Sequence, residues 1–265
     1  GKGRLAEARK SLAWALQVDP ATIQLPAVAA VAEKVSWREL FKYPRSMAVA
    51  CLTGISQTGS VGITLWLTTL LVLILKIKPN EASYLVVWVG VVSIAGRFFC
   101  AWMSDAMGRR RSVVVACLVA TATTSLAGYL SGVYIGAFSV FYLMILAQSF
   151  FGSGNYAIVG PYMAEVWPSK LRASGMGLGY GFGNLGKFIG PAGLAIIAGS
   201  DNYVSPKATL DALVPAMNFF AVWYLVAAAA IWFLGYETKG RSLADIDSEL
   251  GAGKPVGRPA RVEAD

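Results

Sequence analysis

Six long apolar runs, broken by short charged turns, dominate the hydropathy pattern. They predict spanning helices over Ser46–Thr69, Ser83–Met103, Ser112–Ser131, Gly136–Val159, Leu171–Ala198 and Ala216–Leu234, each about 20 residues or more. Leu70–Ile77 is also apolar and reads either as an extension of the first helix or as a short outer helix. Ahead of the runs, Gly1–Val18 has the pattern of an amphipathic helix. Leu5, Ala8, Leu12 and Leu16 share one face, while Lys2, Arg4, Arg9 and Lys10 stay in water. Asp19–Val35, with Pro20 and Pro26, reads as a linker. Trp37, Arg38, Lys42 and Arg45 then form an interfacial anchor. The expected organisation is a polar segment over 1–45, a bundle over 46–236 and a tail over 237–265.

Composition agrees with a polytopic membrane protein. Of 265 residues, 56% are hydrophobic and only 14% charged, with mean hydropathy +0.56. A soluble domain is closer to a quarter charged. The net charge of +8 would suggest nucleic acid in a soluble chain. Here basic residues are the expected flanks of spanning helices, so no nucleic-acid partner is expected. Of the 23 Lys and Arg, about eighteen fall on the side of Arg109. Lys76, Lys78 and Lys207 fall opposite, and Arg97 and Lys187 lie within helices. The positive-inside bias then puts both termini and Arg109 in the cytoplasm. There is no histidine, which excludes most haem, di-iron and zinc-hydrolase chemistry. Gly152-Ser153-Gly154 superficially matches a G-x-S-G protease site, but that site needs histidine. No enzyme activity, cofactor or metal is expected. Cys51, Cys100 and Cys117 lie in apolar runs and read as packing residues. The chain opens on Gly1 without a signal-peptide pattern, so it reads as part of a longer protein.

Four segments carry a family resemblance. Gly96–Arg111 reads GRFFCAWMSDAMGRRR and is similar to the G-x-x-x-D-(R/K)-x-G-R-(R/K) loop of the major facilitator superfamily. Ala101 replaces its first glycine and Ala106 a basic residue; Gly108, Arg109 and Arg110 fit. Ala164–Gly177 (AEVWPSKLRASGMG) resembles the segment linking the tenth and eleventh helices. Tyr236–Leu243 (YETKGRSL) resembles the stretch after the twelfth helix of sugar porters, with Tyr236 in place of proline. GKGRLAEARKSLAW resembles the start of the central cytoplasmic loop. The wording is nearest to metabolite–proton symporters and sugar-porter relatives. The resemblance implies an all-α membrane protein: six transmembrane helices forming the C-terminal half of a twelve-helix fold. Residues 1–45 become the segment between the halves, and the partners become the lipid bilayer, a small-molecule substrate and an N-terminal six-helix half. A bacterial inner membrane is the expected location.

The resemblance also implies a latch that must break during alternating access. Asp105, Gly108, Arg109, Arg111, Glu165, Arg172 and Glu237 are its candidate members. For substrate, Lys187 is the leading candidate. It lies about 21 Å along the fifth helix, where an uncompensated charge is costly. Asn184 sits one turn earlier, where many relatives carry arginine. Arg97, about 12 Å deep, fits a structural role better. Gln57, with Thr58 and Ser60, gives the first helix a polar patch. Gln148, Ser149, Asn155 and Tyr156 do the same for the fourth, as pocket or as interhelical glue. Gly175, Gly179, Gly183, Gly186 and Gly190 mark a close-packing face, with Pro191 a kink beyond it. No acid lies deep in a span, so a coupling carboxylate is expected in the other half. The expected function is secondary transport of a small polar or anionic metabolite, proton-driven, with this chain as half of the pathway. The alternative is a six-helix channel or assembly module acting as a homodimer.

Overall fold

A computed structural model describes residues 5–19, 36–199, 201 and 210–251. Expectations placed on Lys2, Arg4, Pro20, Pro26 and Lys207 lie outside the described residues. The chain divides into two units, Gly1–Trp37 and Arg38–Asp265. In the first, α1 (Leu5–Leu16) is helical as its periodicity predicts. Gln17 adopts φ 55°, Val18 N–H donates to the Ala13 carbonyl and Gln17 N–H to that of Trp14, the Schellman ending of a helix. Leu12, Trp14 and Leu16 are exposed.

The second unit is a helical bundle: α2 (Pro44–Ile55), α3 (Thr58–Leu75), α4 (Pro79–Met107), α5 (Arg109–Tyr129), α6 (Val140–Gln148), a π-helical segment (Ser149–Ser153), α7 (Tyr156–Glu165), α8 (Arg172–Ala198), α9 (Leu213–Leu234) and α10 (Leu243–Gly251). Among the described residues, four segments are long and apolar enough to cross a membrane: Pro44–Leu75, Pro79–Met107, Arg109–Tyr129 and Leu213–Leu234. α8 has 27 residues, about 40 Å of helix, but is diluted by glycine and polar groups.

Helix ends follow local chemistry. Pro44 and Pro79 occupy first-turn positions where no N–H is needed. Glu81 accepts from the Lys78 N–H (3.3 Å) at the start of α4. Gly108, at φ +95°, lets α4 turn directly into α5.

Two expected spans are not continuous helices. The first is interrupted at Ser56–Gln57, where Gln57 N–H bonds to Gly54 and Gly59 N–H to Ser56, three residues back rather than four. The Ser56 and Thr58 hydroxyls donate to the Thr53 and Ile55 carbonyls (both 2.6 Å), competing with the helical ladder. Beyond the interruption α3 runs through Leu70 to Leu75, so the apolar stretch extends the first span. The fourth span was expected from Gly136. That residue instead turns a two-stranded hairpin (Tyr134–Ile135 with Phe138–Ser139) at φ +61°, and helix begins at Val140. The π-helical segment and Gly154 then divide it.

The core forms where α5 packs on α9 and α8 on α2. Phe141, Tyr162, Trp167 and Phe220 are fully buried. The glycine face of α8 meets α2 and α3: Gly54 abuts the Gly179 carbonyl, and Gly186 lies against Thr58. α4, by contrast, leaves Tyr84, Trp88, Ile94, Phe98 and Trp102 exposed.

Candidate functional site

Charged residues gather where α4, α7 and α9 end and α5 and α8 begin. Arg109 is the node. Its Nη1 lies 2.7 Å from Asp105 Oδ1 and donates to Ser104 Oγ at 2.7 Å. Its Nε sits 3.6 Å from Glu165 Oε1, and its backbone N–H donates to Glu237 Oε1 at 3.0 Å. Glu237 also accepts from the Lys239 N–H, and Lys239 Nζ donates to the Ala106 carbonyl at 2.8 Å. Thr238 donates to Glu165. Gly108 leaves room for the Glu237 carboxylate, which would meet any Cβ there. Asp105, Arg109, Glu165, Thr238 and Lys239 border an open cavity of about 320 Å³ together with Gly240, Arg241 and Ile246.

The structure thus brings together Asp105, Gly108, Arg109, Glu165 and Glu237. Arg172 sits elsewhere: its Nε donates to the Ala164 carbonyl (2.9 Å), and its Nη2 lies 3.6 Å from Asp247 on α10. Asp247 also accepts from the Ser169 N–H and hydroxyl. Arg111 is exposed and makes no ion pair among the described residues. The sequence put Arg45 in an interfacial anchor and Arg110 in the signature loop, but did not show that both complete the C-terminal end of α9. Arg45 Nε donates to the Leu234 carbonyl (2.8 Å) and its guanidinium lies over the Tyr236 ring. Arg110 donates to the Ile231 and Trp232 carbonyls. The missing signal was the need of a helix end for partners to its last carbonyls.

A second, neutral cluster lies inside the bundle. Gln148 Nε2 donates to the Tyr224 hydroxyl at 2.7 Å, and Asn155 Nδ2 to Cys117 Sγ at 3.2 Å. Ser149 Oγ donates to the Val89 carbonyl at 3.2 Å. Thr53, Ser56, Gln57, Asn155, Tyr156 and Tyr224 line one small cavity of about 20 Å³. Four predicted residues therefore converge: Gln57, Asn155 and Tyr156 directly, and Gln148 through Tyr224. Gln57 and Tyr156 are half-buried, Gln148 and Asn155 buried. Asn184 and Lys187 lie apart, on an exposed side of α8; Arg97, exposed on α4, is near enough for its charge to act on Tyr156. Tyr224 and Cys117 were not anticipated as members.

A helical bundle with a charged cluster at one end and broken, polar helices inside has the architecture of a membrane transporter. Residues 1–250 match the family described as "Sugar (and other) transporter". The chain belongs to that family, within the major facilitator superfamily, whose members are transporters rather than enzymes. Among relatives, the niacin transporter of Acinetobacter baylyi is 25% identical over 225 residues, covering 81% of this chain and 46% of its own length. The cis,cis-muconate transport protein of Acinetobacter baylyi is 26% identical over 149 residues, 56% of this chain and 35% of its own length. The synaptic vesicle 2-related protein of Bos taurus is 27% identical over 182 residues, 68% and 30% respectively. The chain thus spans less than half the length of each. The crystal structure of the POT family transporter PepTSo shares the fold, with TM-score 0.56 and 15% identity over 72% of this chain and 37% of PepTSo.

Proposed function

We propose that this chain forms the C-terminal six-helix half of a proton-coupled secondary transporter for a small organic anion. The Arg109 node carries the reading. One guanidinium and its backbone N–H hold together the ends of α4 and α7 and the segment after α9. Partly exposed ion pairs contribute only ~0–1 kcal/mol each, so such a node can open and re-form as halves rock. The charge bias assigns this end to the cytoplasm. The exposed faces of α4 and α8 are where a second six-helix half would pack. The six spans are then Pro44–Leu75, α4, α5, α6 through α7, α8 and α9. No acid lies deep in these helices, which assigns the coupling carboxylate to the other half.

Niacin and muconate, named for two relatives, both carry carboxylates. Lys187 is our candidate cation to meet one, with Asn184 one turn away on the same exposed side of α8. Uptake of radiolabelled nicotinate and muconate by the full-length protein in proteoliposomes tests the reading. Saturable uptake that responds to an imposed proton gradient, with Lys187→Gln raising the half-saturation concentration at normal expression, is expected. Linear, gradient-independent flux would support a channel instead. Unchanged affinity in the glutamine variant would remove Lys187 from the site.

A further inference from the structure

Arg97 lies in α4 about 12 Å from Asp105, a depth at which an uncompensated charge is costly. It is exposed and makes no ion pair or hydrogen bond among the described residues. Backbone contact fixes its position. Gly96 packs on the Phe150 main chain and Gly154 on the Gly96 carbonyl, with no room for a Cβ at either. Arg97 is therefore held beside the break in the fourth span. Tyr156, just past that break, lines the small cavity with Gln57 and Asn155, and the Arg97 charge reaches it. Ser60 of α3 lies close to the same phenol. The bulky exposed side chains of α4 point elsewhere. Tyr84, Trp88, Val91, Phe98 and Trp102 stand roughly 100–180° round the helix from Arg97, at about 100° per residue. Gly90 and Ala101 share its side, both exposed, and Gly90 has open space before it. The guanidinium thus has small neighbours and a phenol beside it, not the aromatic face of the helix.

We propose that Arg97 and Tyr156 form a carboxylate-binding subsite of the transport pathway, separate from Lys187 on α8. The guanidinium takes the carboxylate through two parallel N–H donors, and the phenol donates a further hydrogen bond to it. Arginine does not shed its proton in a protein, so the subsite stays positive between substrates. A bound carboxylate compensates a cation that the chain leaves unpaired. The identity of the anion rests on the organic-anion reading above; a positive subsite reached by water does not.

The charge preference of one introduced cysteine tests it. In the full-length protein in proteoliposomes, with the other cysteines replaced, Tyr156→Cys should react about fivefold faster with an anionic methanethiosulfonate than with a cationic one of similar size. Adding Arg97→Gln should abolish that preference. Equal rates with Arg97 present, or a preference that survives its removal, overturns the subsite. Arg97→Cys, at an exposed position, supplies the reading where Tyr156→Cys does not fold. It should be modified by membrane-impermeant reagents, and inertness to them overturns the proposal, because the position then faces lipid or packed protein. Nicotinate and muconate uptake separates the subsite from the transport reading. A charge preference without saturable uptake of either leaves the subsite standing while the transport reading falls. Saturable uptake whose half-saturation concentration is unchanged in Arg97→Gln overturns the subsite and leaves the transport reading intact.

Discussion

The charged end of the bundle and its polar interior solve opposite problems. At the charged end, Arg109 is partly exposed and shared among Asp105, Glu165 and Glu237. Water competes for each contact, so no single pair holds the ends together. Inside, Gln148 and Tyr224 are buried and bonded to each other. There a lost partner leaves a dry polar group at a cost of about 1–3 kcal/mol. One region is built from contacts that are weak singly and exchangeable. The other is built from contacts that are few and costly to lose. The first suits a latch and the second a scaffold.

The largest effect is expected where backbones touch. Gly96 on α4 lies against the Phe150 carbonyl of the π-helical segment, and a methyl there would overlap main chain, which cannot yield. Gly96→Ala should cost roughly 3 kcal/mol or more and remove most folded protein. Fluorescence-detected size exclusion checks this; normal yield and midpoint would show that α4 and the π-helical segment can separate. Next comes Arg109→Gln, which frees two carboxylates, Asp105 and Glu165, while Glu237 keeps the backbone N–H. Transport should fall about tenfold while membrane abundance holds, because exposed pairs add little to stability. Equal loss of both would make the node a folding element and erase the contrast. Tyr224→Phe is milder: it strands Gln148 Nε2 and should lower the unfolding midpoint by a few degrees, equivalent to ~1 kcal/mol. An unchanged midpoint would mean that Gln148 finds another partner.

The two regions also differed in how far the sequence revealed them. Charges in an apolar chain are conspicuous, and the family resemblance of the segments that carry them singled out Asp105, Arg109, Glu165 and Glu237. Their grouping depends on helix ends meeting, which the order of spans implies. Arg172 went to Asp247 because α10 folds back to it, and α10 carries no apolar span to announce it. The interior was harder. Tyr224 sits in a helix whose one other strongly polar side chain is Asn218, and one phenol among alanines and aromatics gives no polar period. The interruptions at Ser56–Gln57 and Gly154–Asn155 fall inside runs whose hydropathy stays high. Only hydroxyls competing for carbonyls betray the first. Periodicity finds where a chain crosses; it does not find where the ladder slips inside the crossing.

The smallest predicted effect separates the regions by pH. The interior cluster is neutral, made of amides, hydroxyls and a thiol, and has nothing to protonate below neutral pH. The charged end continues into α10, whose start rests on a carboxylate. Ser242 N–H and hydroxyl both donate to Asp245 Oδ2, at 3.2 and 2.7 Å, and Asp245 N–H donates back to Ser242 Oγ. The Ser242 hydroxyl, then its N–H and the Arg241 charge, hold the Asp245 carboxyl below its ordinary range. A depressed value in the folded state contributes stability that is complete above the unfolded pKa, about 3.9, and is lost as pH falls through the folded one. Amide protection over residues 243–248, corrected for intrinsic exchange, should therefore weaken below about pH 4. The effect is small because Asp245 is fully exposed. Asp245→Asn should show the weaker protection already at neutral pH and no further loss in acid. Amides around Gln148 and Tyr224 should stay flat across the same range. Acid loss of equal size in the asparagine variant would assign the pH dependence to another carboxylate of the charged end, and acid loss around Tyr224 would dissolve the distinction between the two regions.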